Sequence, residues 1–75
     1  MGTRIMALIF VGNVDRRTSE VDVRSVFEVY GPVAKVKVIS SFAIVEMMDD
    51  QQAQNAISEL DKLSSWVVRT MAAAA

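Results

Sequence analysis

Ala7-Leu8-Ile9-Phe10-Val11-Gly12-Asn13-Val14 is rich in β-branched and aromatic residues and closes on Gly and Asn, which predicts a buried strand. Working outward, Asp15-Arg16-Arg17-Thr18 is a polar connection, and Ser19 suits a helix N-cap. Glu20 and Asp22 then fall in the first turn, where carboxylates complement the helix dipole. Val23, Val26, Phe27 and Tyr30 follow at the i, i+3, i+4, i+7 spacing of one helical face. Gly31-Pro32 ends that helix, glycine being expected to take a left-handed cap and proline being unable to continue. Residues 34–39, Ala-Lys-Val-Lys-Val-Ile, alternate polar and apolar like a half-exposed strand. Residues 42–48 make another strand only two residues later, so Ser40-Ser41 is expected to be a tight hairpin turn, although it is not a favoured turn pair. Asp49 can cap a second helix with Ala53, Ala56, Ile57 and Leu60 on its apolar face. Asp61-Lys62-Leu63-Ser64-Ser65 reads as a connection, and Trp66–Met71 as a short final strand.

The order β-α-β-β-α-β is that of a split βαβ unit. It predicts an α+β, ferredoxin-like domain in which a four-stranded antiparallel sheet carries two helices on one face, with the first and third strands central. The expected domain is the whole chain 1–75, with its core over about 6–71 and the four final alanines assigned nothing. At 75 residues the chain stands near the lower limit for one self-sufficient core, burying only ~60% of the surface its unfolded form exposes. Its hydrophobic fraction of 52% is too high for a disordered tail. It has no cysteine and no histidine, which removes thiolate chemistry, disulfides and the usual zinc ligands and neutral-pH bases. The sequence therefore does not read as an enzyme, and no cofactor is expected. No apolar run approaches the ~20 residues of a membrane span, and no secretory signal or myristoylation pattern opens the chain. An intracellular, soluble protein without a membrane partner is expected. Lys plus Arg is 8 and Asp plus Glu is 9, so the net charge of −1 exerts no strong pull on polyanions. Residues 1–45 carry six bases and four acids (+2), whereas 46–75 carry two bases and five acids (−3).

Strand alternation sorts these side chains by face. Ile9 and Val11, Ala43, Val45 and Met47, and Val36 and Val38 should face the helices. Leu8, Phe10 and Gly12, Phe42, Ile44 and Glu46, and Lys35 and Lys37 should face the open side. Leaving one phenylalanine in water forfeits ~1.5–3 kcal/mol of burial, so two on one uncovered face imply a ligand.

With these residues in place, the sequence resembles an RNA recognition motif. Ile9-Phe10-Val11-Gly12-Asn13-Val14 is similar to that family's short ribonucleoprotein signature, with Val14 where leucine is usual. Ser40-Ser41-Phe42-Ala43-Ile44-Val45-Glu46-Met47 fits the longer signature less closely. Phe27 with Tyr30-Gly31 also suits the family, and the likeness covers about residues 6–71. The resemblance implies single-stranded RNA binding on the sheet, with Phe10 and Phe42 stacking bases and Ile44 and Leu8 adding apolar surface. Lys35, Lys37 and Arg69 carry two readings of equal weight, contact with phosphates or an ordinary solvated edge. Ser40 stands where a basic residue is usual, Ser41 replaces glycine and Ile44 replaces a third aromatic, so weak binding is expected. The short link before residue 42 is similar to RNA recognition motifs of the heterogeneous nuclear ribonucleoprotein C and splicing-factor kind. Residence in the nucleus or the cytoplasm is expected, with the nucleus slightly favoured by the resemblance alone.

Other residues carry two readings. Asn13 either reads a base or makes a local turn bond at the strand end. Trp66 either pads the core edge or anchors a partner, and padding is the simpler role. Arg16-Arg17 reads as a solvated turn, and Asp49-Asp50 as a cap and dipole complement rather than a metal pair. Glu46 beside the aromatics is unhelpful to a polyanion. The alternative function is a protein-interaction module that uses the depleted sheet or the acidic helical side to hold another protein or a second copy.

Overall fold

The computed structural model describes residues 7–63 and 65–70. Along them run β1 (Ala7–Gly12), α1 (Glu20–Glu28), β2 (Val33–Ile39), β3 (Phe42–Met47), α2 (Asp50–Leu63) and β4 (Val67–Thr70). Each strand pairs antiparallel with its neighbours in the order β2-β3-β1-β4, which puts β1 and β3 in the centre. Alternation does what the pattern predicts. Ile9 and Val11 from β1 and Ala43, Val45 and Met47 from β3 are fully buried. Opposite them lie Val23 and Phe27 of α1 and Ala53, Ala56 and Leu60 of α2. The two alanines bring the α2 backbone close to the sheet, and the result is the ferredoxin-like βαββαβ arrangement.

Local chemistry sets the element ends. Ser19 caps α1 through a reciprocal box: its Oγ accepts from the Asp22 N–H at 3.3 Å, and the Asp22 carboxylate accepts from the Ser19 N–H at 3.1 Å. Gly31 does not adopt the left-handed cap expected of it, because Val29 is the C-cap and keeps right-handed helical geometry. Glycine suits 31 for another reason: its φ of 159° is one that residues with a Cβ rarely adopt, and a Cβ there would also displace the amide end of Gln52. β2 starts at Val33 with an irregularity between Val33 and Lys35. There the Arg24 guanidinium donates to the Val33 carbonyl at 3.1 Å, fastening α1 to the edge strand.

Several boundaries differ from the sequence expectation, most by a residue, and two of them have a clear local cause. β1 stops at Gly12 because Asn13 turns to φ 60°, a left-handed conformation that ends pleating. Val14 is nevertheless buried, and its N–H donates to the Ser41 carbonyl at 2.8 Å. α2 runs on through Leu63, so Asp61-Lys62-Leu63 is its last turn and not a connection. No Gly or Pro interrupts those residues, and Lys62 suits the negative end of the dipole. Ser40-Ser41 does form the two-residue link between the paired residues Ile39 and Phe42. Trp66 packs against the core edge as padding. Met71, expected in the last strand, lies outside the described residues.

Candidate nucleic-acid interface

The sheet face opposite the helices can be read off the pairing registers. Lys37 pairs with Ile44, Ile44 with Phe10, and Phe10 with Arg69, a row crossing all four strands. One step along, Lys35 pairs with Glu46 and Glu46 with Leu8. On the other side, Ile39 pairs with Phe42, and Gly12 with Val67. Leu8, Phe10, Phe42, Ile44 and Glu46 are each half-buried, while Lys35, Lys37 and Arg69 are exposed. Seven of the eight candidate residues named from the sequence thus share one surface, with Asn13 just beyond its rim.

Phe42 is the diagonal neighbour of Phe10, and their ring centroids lie 5.7 Å apart with planes 27° from parallel. That offset stacking is a favoured aromatic geometry. The Phe10 ring also leans along its own strand. Its Cε2 lies 3.0 Å from where a Cβ on Gly12 would stand, so the glycine makes room for the ring. Asn13 acts as a structural tie, because its Nδ2 donates to the Ser65 carbonyl at 3.0 Å and so joins the end of β1 to the approach to β4. This bond reaches across the fold and is not the local turn bond considered for a strand end.

Charge follows the same division of faces. The sheet carries Lys35, Lys37 and Arg69 against Glu46, for 3 − 1 = +2. The helices carry Glu20, Asp22, Glu28, Asp50, Glu59 and Asp61 against Arg24 and Lys62, for 2 − 6 = −4. Among the described residues the ion pair is Arg24 with Glu28 at 3.6 Å, so the sheet charges are not spent on one another. Sequence reasoning missed two aliphatic contributors to this face, Ile39 and Val67, each 38% exposed. Alternation from Lys37 and Arg69 identifies both. Among the described residues no group of acidic side chains is placed to hold a metal, and no helix is long and apolar enough to cross a membrane.

An antiparallel sheet covered on one side and bearing a stacked aromatic pair on the other defines a small α+β protein that presents a flat platform. Residues 9–65 match the family model of the RNA recognition motif, and the chain belongs to that family. It is 33% identical over 67 residues to the RNA-binding protein lark of Drosophila melanogaster, covering 87% of this chain and 19% of lark. It is 38% identical over 71 residues to RbpD of Nostoc sp., covering 84% of this chain and 74% of that protein. Among solved structures, RNA Binding Protein PG1 superimposes with a TM-score of 0.83 at 30% identity, over 92% of this chain and 98% of that one. The RRM domain of S. pombe Puf1 reaches the same TM-score of 0.83 at 20% identity, over 93% and 94% of the two chains, a likeness of fold.

Proposed function

We propose that this chain binds single-stranded RNA on the open face of its sheet, weakly when alone, as one module of a longer protein. The observation that carries the reading is the Phe10–Phe42 pair, stacked and half-exposed on the side away from the helices. Every nucleobase has a π-face, so such a pair accepts bases of any sequence. Ile44 and Leu8 extend the apolar floor, and Lys35, Lys37 and Arg69 supply charge for phosphates. Asn13 at the rim would add a base contact through the part of its amide not used on Ser65. Two stacks contribute ~2–6 kcal/mol, whereas a micromolar complex needs about 8 kcal/mol. Affinity is therefore micromolar or poorer. The small fraction of lark that the chain spans supports the modular reading.

A protein-interaction role through the helical side is the second reading. It draws on Val21 and Val29, which are 70% and 79% exposed at α1. Titrating the amide spectrum with a short mixed RNA separates the two. Movement of residues 8–12 and 42–46 is expected, and Phe42→Ala should weaken binding by ~1–3 kcal/mol. An unmoved sheet, with shifts at 20–30 or 50–62 on adding a protein partner, would hand the function to the helices.

A further inference from the structure

Glu46 is the acidic residue of the sheet face, and the described residues offer its carboxylate no hydrogen bond or ion pair. Lys35 stands directly across β2 from it without closing a salt bridge. Against a phosphate backbone this carboxylate is repulsive. Against the edge of a base it is a two-oxygen acceptor without a donor.

Its position favours the second use. Phe10 faces Ile44 on β3 and has two diagonal neighbours there, Phe42 and Glu46. The Phe10 ring lies against Phe42 and over Gly12. It thus turns away from Leu8 and Glu46, leaving that side of the row free of the ring. Glu46 is two strand residues from Ile44, about 6.6–6.8 Å along the face. A base lying on the Phe10–Ile44 row therefore points one edge at Glu46.

We infer that Glu46 makes this surface select guanine at that position, a refinement that rests on the RNA-binding reading above. The pairing edge of guanine presents two adjacent donors, N1–H and the N2 amino group. They match the two oxygens of a carboxylate in a bidentate pair. Adenine and cytosine set one amino donor beside a ring-nitrogen acceptor, which the second oxygen repels. Uracil sets one N–H between two carbonyls and is repelled twice. The uncovered acceptor thus converts a sequence-tolerant stacking floor into a selective one.

The test uses hexamers of uridine and the same hexamers with one guanosine, adenosine or cytidine, titrated into the wild-type chain and into Glu46→Gln. Glutamine keeps the shape but turns one acceptor into a donor, and the half-exposed site leaves the fold intact, as the amide spectrum will report. Wild type should prefer the guanosine hexamer by about 5- to 150-fold, the range of one bidentate base contact. Glu46→Gln should shrink that preference to about twofold or less and should not weaken uridine binding. Equal binding of all four hexamers, or a guanosine preference that survives Glu46→Gln, overturns the inference while leaving sheet binding in place. If no hexamer moves residues 8–12 or 42–46, the RNA-binding reading itself fails and this inference with it.

Discussion

Phe10 and Phe42 touch one another before they touch any ligand, and this coupling alters what a single substitution measures. At a centroid distance of 5.7 Å the rings form one offset stack, a contact of about 0.5–1.5 kcal/mol beyond area burial. Removing either ring should therefore cost stability of that order and leave its partner less well aimed. We expect the double variant Phe10→Ala/Phe42→Ala to lose less RNA affinity than the two single losses added. A double-mutant cycle followed by titration measures the difference, and strict additivity would mean the rings act as independent platforms. The facing of these residues was legible in the sequence because alternation has period two and both strands are short and regular. Their mutual stacking was not, since it depends on the register between β1 and β3 and on the lean of Phe10 over Gly12. Asn13 shows the same limit. Its type marks a strand end, but the partner it reaches, Ser65, is set by how β4 docks.

At the scale of elements, helix starts and strand cores were readable from capping chemistry and periodicity, and their ends less so. α2 outran its expected end because charged residues near a helix terminus look like a loop in sequence while being good helix formers in fact. The β2–β3 link was legible from spacing alone, and its chemistry is imperfect. Ser40 sits at φ 55°, a region that costs a residue with a Cβ roughly 1–2 kcal/mol, whereas Ser41 is not among the positive-φ residues. Ser40→Gly should thus stabilise the domain by up to about 1 kcal/mol after the entropy of glycine is set against the relieved strain. Ser41→Gly should be neutral or destabilising. Chemical denaturation of the two variants checks the contrast, and a gain at 41 without one at 40 would refute it.

Taken whole, the molecule has a net charge of −1 yet divides into a cationic sheet and an acidic helical side. The sequence halves hinted at this asymmetry, but only folding sorts the charges by face. Three cations border the aromatic pair, so the logarithm of RNA affinity should fall with the logarithm of salt at a slope no steeper than about −2. A measured slope beyond about −3 would require phosphate contacts elsewhere. The two-residue link between β2 and β3 has one further consequence. So short a connection cannot arch over the strands and trap what lies on them, so this link sets no gate above the sheet. On the RNA-binding reading, departure from the floor is then timed by the contacts themselves and not by the opening of this link.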